Sequence, residues 1–385
     1  MLIINQVYPP ARGATGRLAR DLAEHLAKLG FDIHVLCVDE QSFKEEKEPR
    51  GITVTRLTSR ANPRKGFGLL WLCLRLFWAV LRHPKVDQII SMTDPPFAVV
   101  PISLMAKFKR ARHIHWCQDL YPDVLPALNI RTSEFIFRFL SKRMRRALRR
   151  CDRVVTLGTC MRDRLITRYL QAEQISVIPN WGDRTLETSM NKEQALSEHQ
   201  SPDKFRILYA GSIGRAHPMD TILSTAKILD NEGHDDVEFL FVGDGPGFEK
   251  LAKDRDRLGI QNIRFLPYQP LDKLTSLYES GDAHLISMSP PAAGCLFPSK
   301  LYPALTIGRP ILFLGPEGCQ IPEILDHYEA GLCIPHGRAD VLVEVIKRLR
   351  DEAGIWHHLH QGALLAGQDY TAETSLKLWE EVLTQ

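Results

Sequence analysis

Short apolar runs of four or five residues recur along the chain, separated by longer stretches with helical spacing. In the first half Leu2–Asn5, Ile33–Cys37, Thr53–Leu57, Gln88–Ser91, His113–Trp116, Arg153–Thr156 and Ile175–Ile178 read as strands. A helix is expected from about Thr15 to Leu29, stopped by Gly30. After I-P-N-W-G-D comes a polar run, Arg184 to Asp203, with the composition of a linker. The alternation then restarts with Phe205–Tyr209, Glu238–Val242, Ile263–Leu266, Ala283–Ile286 and Ile311–Leu314, and a helical pattern closes the chain from Thr371 to Leu383. Strand–helix alternation predicts parallel sheets covered on both faces. The expected architecture is α/β: two doubly wound domains at 1–180 and 204–368, a linker at 181–203, and a last helix at 369–385 whose return to the first domain is left open.

In such sheets ligands bind beyond the carboxyl ends of the strands, so the loops there matter. Tyr8–Gly16 follows the first strand and is not G-x-G-x-x-G. Gly13 and Gly16 permit a close ligand approach or simply a tight turn. Two strands of the second half end in glycine turns, Y-A-G-S-I-G-R and F-V-G-D-G-P-G. From Ala292 to Gly318 the pattern is loop, helix, strand and turn, with the helix starting at Ser299 and stopped by Gly308 and Pro310. Ser299 stands where an N-cap belongs, and a helix start with Lys300 beside it suits a diphosphate. An ordinary loop–helix–strand unit explains the same residues.

Composition narrows this. At 385 residues, 44% hydrophobic and 25% charged, the chain suits two globular domains. The eight cysteines are scattered without a C-x-x-C pair, which fits a reducing cytosol, and the chain opens directly on a strand rather than a secretory leader. Residues 1–180 hold 30 Lys and Arg against 16 Asp and Glu, a balance of +14; the other 19 and 30 leave residues 181–385 at −11. The basic half is expected to meet something anionic: nucleic acid, membrane or a lipid phosphate.

Two segments of that half stand out. Gly66–Leu81 is about fifteen apolar residues broken by Arg75, short of the roughly 20 of a membrane span. It reads as a buried helix or one dipping into a bilayer interface. Ser133–Arg150 spaces Phe135, Phe139, Met144 and Leu148 near helically and packs six Lys and Arg into its last ten residues, as an interfacial helix does. Its aromatics do not interleave with the cations as a nucleic-acid stacking platform would.

Taken in order, several segments resemble the nucleotide-sugar glycosyltransferases of family 4, with the GT-B fold. I-P-N-W-G-D is similar to that family's P-N-G-x-D, with Trp181 inserted; L-Y-A-G-S-I-G-R to its first phosphate loop; F-V-G-D-G-P to the loop after the next strand; and Q-D-L-Y-P-D to its H-D-x-x-P. P-S-K-L-Y with G-R-P-I-L resembles a subgroup that makes bacterial surface polysaccharides such as capsule, O-antigen or colanic acid. The resemblance implies two Rossmann-like domains facing across a cleft and a retaining transfer from a nucleoside-diphosphate donor, expected to be a UDP-sugar, to a lipid-linked saccharide such as a polyprenyl diphosphate. A nucleotide-sugar epimerase on this plan and an inactive sugar-nucleotide-binding module are the alternatives.

The resemblance assigns roles residue by residue. Asp119, Arg215 and Lys300 are the expected catalytic residues, and Gly13, Gly16, Gly211, Ser212, Gly214, Gly243, Pro267, Ser299 and Glu317 the expected donor-binding ones. Backbone N–H groups and cations from the Gly211–Arg215 and Ser299–Lys300 arms would stabilise the leaving diphosphate without metal or cofactor. The chain lacks an obvious D-x-D metal motif: Asp152, Asp220, Asp244 and Asp282 are isolated from suitable partners, and Asp235–Asp236 reads as a solvated turn. The chain departs from the family at Cys295 and Pro303, where the family carries two glutamates, and at Ser212 and His217, where the family usually carries Arg and Lys. The expected location is the cytoplasmic face of the cell membrane, held through Ser133–Arg150 and Gly66–Leu81, with no nucleic acid bound.

Overall fold

The computed structural model describes residues 1–11, 13–39, 48–58, 66–184, 186 and 204–384. Most of the expected linker, from residue 187 to 203, lies outside the described residues.

The first sheet is fully parallel and contains β1 Leu2–Ile4, β2 Ile33–Asp39, β3 Ile52–Thr58, β4 Gln88–Met92, β5 Arg112–Cys117, β6 Arg153–Thr156 and β7 Ile175–Val177. Their order is β3-β2-β1-β4-β5-β6-β7, with Ile3 opposite Val35 on one side and Ile90 on the other. The second sheet repeats the plan with β8 Phe205–Ala210, β9 Val237–Val242, β10 Ile263–Leu266, β11 Ala283–Ser287, β12 Ile311–Leu314 and β13 Gly331–Ile334, ordered β10-β9-β8-β11-β12-β13. Each order reverses beside its first strand, so the loops after β1 and β4, and after β8 and β11, open at switch points. β13 is absent from the sequence reading. It is an edge strand that starts on Gly331, where a Cβ would lie 2.2 Å from the Ile311 carbonyl oxygen.

Helices α1 Ala14–Lys28, α2 Gly66–Arg82, α3 Val99–Lys109, α4 Glu134–Leu148 and α5 Thr159–Arg168 cover the first sheet. Helices α6 Asp220–Asn231, α7 Pro246–Leu258, α8 Leu274–Glu279, α9 Leu301–Ile307, α10 Gln320–Tyr328, α11 Ala339–Asp351 and α12 Ala353–Asp369 belong to the second half. The last helix, α13 Ala372–Thr384, packs on the first sheet. Fully buried Trp379 meets Trp116 edge-on with 4.8 Å between ring centroids, and Trp181 stacks on Trp116 at 5.8 Å. Arg112 donates to the carbonyls of Val382 (2.6 Å) and Leu383 (2.8 Å), capping the helix end. The inserted Trp181 thus has a packing reason, and its indole N–H donates to Asp21 at 2.8 Å.

α3 packs between α2 and α4, so these three helices form one layer. α2 buries Leu72, Leu76 and Val80 but leaves Leu70, Trp71, Leu74 and Trp78 exposed. α4 divides along its length. Met144, Ala147 and Leu148 are buried, whereas Phe135 is 81% exposed and Ile136 and Phe139 are also open. The single apolar face expected from spacing is therefore covered at one end only, and α3 adds exposed Leu104 and Phe108 beside it. Among the described residues no helix is long and apolar enough to cross a membrane.

Candidate active site

The loop after β8 is built on close backbone contact. Gly211 has φ +117° and donates to the Val242 carbonyl at 2.8 Å. Gly243, at φ +146°, lies so near that a Cβ on it would be 2.5 Å from the Gly211 oxygen. No other residue type fits both positions, so the loops after β8 and β9 lie against each other. Ile213 N–H donates to Asp244 O (3.2 Å) and the Ser212 hydroxyl to Asp244 Oδ1 (3.2 Å), fixing the pair of loops.

Lys300 folds over this turn. Its ammonium donates to the Ser212 carbonyl at 3.2 Å, sits 4.7 Å from the centre of the Tyr209 ring, and has its Cε 3.1 Å from where a Cβ on Gly211 would stand. Tyr209 in turn donates its hydroxyl to the same Ser212 carbonyl at 3.0 Å. Among the described residues no carboxylate pairs with Lys300, and burial pushes it down to about 8. Such a cation gains by meeting an anion. The helix start is not as expected: Lys300, not Ser299, is the N-cap of α9, with no side-chain cap bond, and Ser299 is exposed one residue earlier. Lys300 itself, rather than a capped helix terminus, provides the positive charge.

His217 ends the loop. Its Nδ1 lies 2.6 Å from the Ser287 carbonyl oxygen, and burial together with the Lys300 charge lowers the ring to about 4. Gly214 and Arg215 lie in the same loop and are exposed. Pro267 after β10 and Glu317 after β12 are exposed too. Arg215, Ser299 and Glu317 make no hydrogen bond or ion pair to Lys300 or Ser212. Gly13 and Gly16 are placed by packing: a Cβ on either would come within 3.0 Å of the Val7 side chain.

The other wall comes from the first domain. After β5, Asp119 forms an antiparallel bridge with Leu296, and Leu120 N–H donates to Cys295 O at 2.7 Å. Burial, aided by the nearby Asp94 charge, raises Asp119 to about 7. Asp119 and Tyr121 line a cavity of about 10 Å³ with Thr93 and His115, room for a single water. His115 is a core residue: Ser91 Oγ lies 3.0 Å from it and 2.8 Å from His113, and burial holds both rings neutral, near 4 and 3. Asp123, the second acid of Q-D-L-Y-P-D, is buried and structural, taking the Tyr169 hydroxyl and pairing with Arg168 at 2.7 Å.

Cys295 is fully buried, its thiol pushed up to about 12, and Pro303 is buried inside α9. Neither position presents a hydrogen-bond acceptor to the cleft. Tyr209, Tyr302 and Asn180 also belong to this region, although the sequence pattern assigns them no role. Asn180 and Gln118 exchange amide hydrogen bonds (2.8 and 3.2 Å), and Asn180 N–H donates to the Tyr302 hydroxyl at 3.2 Å. P-N and the Y of P-S-K-L-Y were visible as motif members, but their pairing across the domains was not.

Comparison with known proteins agrees with this geometry. Residues 13–181 match the glycosyl transferase 4-like domain and residues 191–361 the glycosyl transferases group 1 domain. The chain belongs to the group 1 glycosyltransferases, GT-B enzymes with two Rossmann-like domains. It is 24% identical over 374 residues to the putative colanic acid biosynthesis glycosyl transferase WcaI of Escherichia coli K12, covering 90% of this chain and 91% of that one. It is 22% identical to the probable glycosyltransferase WbjE of Pseudomonas aeruginosa, over 81% of this chain and 76% of the relative. Among solved structures, Anabaena HepE in complex with UDP-glucose superposes with a TM-score of 0.74 at 16% identity, covering 100% of this chain and 99% of that one.

Proposed function

We propose that this enzyme transfers a sugar, with retention of configuration, from a UDP-sugar to a lipid-linked saccharide at an anionic membrane during bacterial surface polysaccharide synthesis. The observation that carries this reading is Lys300 lying over the Gly211 turn with no carboxylate partner among the described residues, a cation set among backbone groups where a leaving diphosphate needs one. The named activity of WcaI supports the pathway, and the UDP-glucose bound to HepE supports the donor. Turnover of labelled UDP-sugars with an extracted lipid acceptor tests it. Hydrolysis without transfer would argue against the acceptor, and binding without turnover would favour an inactive binding module.

In this reading Lys300, Arg215 and the Gly211–Gly214 backbone receive the diphosphate charge, the leaving phosphate takes the acceptor proton on the same face, and Asp119 orients the acceptor hydroxyl. No metal takes part, so activity is expected to persist in excess EDTA. Loss that Mg²⁺ or Mn²⁺ restores would reveal a carboxylate ligand set instead.

The layer of α2, α3 and α4 supports membrane contact, because it sets exposed Trp71, Trp78, Phe108 and Phe135 beside the Arg and Lys of α4. Arg149 is held by the Tyr169 carbonyl at 3.1 Å, so the informative variant replaces exposed Lys142, Arg143, Arg145 and Arg146 with Gln. At about 1 kcal/mol per cation near the surface, binding to phosphatidylglycerol vesicles is expected to fall by well over tenfold. The KM for the lipid acceptor should rise and turnover on a short soluble acceptor stay level. Undiminished vesicle binding would make this helix a solvated face.

A further inference from the structure

A sugar donor needs hydrogen-bond acceptors as well as cations, because each hydroxyl of a hexose offers a proton. The Gly211 cluster is short of them. Lys300, Arg215 and the backbone N–H groups only donate. Cys295 and Pro303, the positions where the family resemblance puts carboxylates, are buried, and neither side chain accepts a hydrogen bond as a carboxylate does. Asp244 is exposed beside the loop and already takes the Ser212 hydroxyl on one oxygen.

His217 supplies what is missing. A carbonyl oxygen can only accept, so the 2.6 Å contact with Ser287 O puts the ring proton on Nδ1. The neutral ring then presents a bare lone pair at Nε2. The adjoining Cδ2 lies 3.6 Å from where a Cβ would stand on exposed Gly214, so this edge of the half-buried ring borders an exposed residue of the loop. No hydrogen bond among the described residues uses Nε2. Ser289, whose N–H donates to the Ala216 carbonyl at 2.8 Å, keeps a buried hydroxyl without a hydrogen-bond partner among the described residues. The neighbouring Lys300 ammonium discourages a second proton on the ring. A lone pair repels phosphate oxygens and attracts a hydroxyl.

We propose that His217 is a sugar-positioning residue, its Nε2 accepting a hydrogen bond from a hydroxyl of the transferred sugar while Lys300 holds the diphosphate. This rests on the UDP-sugar reading given above. It divides the pocket into a cationic arm for phosphates and a neutral acceptor arm for the hexose, and makes His217 a determinant of which sugar is taken.

His217→Asn tests it, because the Asn amide reproduces the N–H to Ser287 O and deletes Nε2. Affinities for UDP and for UDP-glucose, UDP-galactose and their N-acetylamino forms would be measured by calorimetry on the full chain. For whichever hexose binds the parent, the variant is expected to lose ~5- to 10-fold in affinity, the worth of one hydrogen bond, with UDP unchanged. His217→Gln, whose amide oxygen reaches toward the Nε2 position, should recover part of the loss and guards against a misfolded Asn variant. Equal losses for UDP and UDP-hexose would make His217 a diphosphate ligand and overturn the proposal, and unchanged affinities for both would reduce the ring to packing. Should the parent bind neither UDP nor any UDP-hexose, the donor reading falls and this proposal with it; a parent that binds both while the Asn variant matches it sinks the proposal alone.

Discussion

Lys300→Ala is expected to lower kcat by about a hundredfold or more while the protein stays folded. Removing one preorganised donor to a developing oxyanion costs on the order of 3 kcal/mol in the transition state. The fold loses little. Among the described residues the Lys300 ammonium makes one hydrogen bond, to the Ser212 carbonyl, and lies over the Tyr209 face and Gly211, while Tyr209 keeps its own bond to that carbonyl. A partly desolvated ammonium with no carboxylate partner among the described residues is itself unfavourable, so the melting temperature should hold or rise slightly. The depressed value of about 8 gives a second readout. Below it the ammonium is charged and binds diphosphate; as pH rises through it the charge is lost, so UDP affinity should fall in the parent and stay flat in the Ala variant. Binding near pH 8 should also take up protons, since a bound anion restores the charged form. The same depression makes the free protein gain stability as pH rises from about 8 toward the ordinary lysine range, where the unfolded chain still holds the proton. Full turnover in a folded Ala variant would remove Lys300 from the site.

Much of this site left a local trace. Glycines at 211 and 243 announce a backbone approach that no Cβ permits, and both lie directly after apolar strands. Lys300 is singled out by the sequence through a helix start that the structure places differently. Spacing pointed to a capped helix start at Ser299, whereas the seven-residue α9 begins later and the lysine acts by folding back over a strand-end turn 88 residues away. Pairings of that range cannot be read from periodicity. The same holds for the Asp119–Leu296 bridge and the Gln118–Asn180 amide pair, which join segments whose own patterns are ordinary loops. β13 escaped because G-L-C-I is a short edge strand opening on glycine, with Cys333 exposed where an interior strand would be covered. In α4 the helical spacing of Phe135, Phe139, Met144 and Leu148 was plain, but which of them a neighbour covers depends on where the adjoining helices lie.

Asp119→Asn should cost roughly a hundredfold or more in kcat and yet yield a protein that melts higher at pH 8. Both effects follow from one feature, a carboxyl group held in a dry position beside Asp94 and raised to about 7. To orient an acceptor hydroxyl the group must be ionised, so that it can accept the hydroxyl proton's hydrogen bond. Parent kcat/KM, which reports the free enzyme, should therefore climb as pH passes through about 7 and decline as Lys300 discharges near 8, a narrow bell. The Asn variant loses the acidic limb along with most of the rate. The stability sign runs the other way. A carboxyl whose folded value is raised binds its proton more tightly in the native state, so the native state loses stability as pH rises from the ordinary carboxylate range to about 7, and that loss persists above it. An amide does not ionise and escapes the loss, so parent and variant should melt alike near pH 4 and diverge by pH 8. A residue kept for packing or capping would give the opposite pattern, lower stability with activity falling only in proportion. Retained turnover in the Asn variant, or a melting temperature below the parent's at pH 8, would take Asp119 out of the reaction.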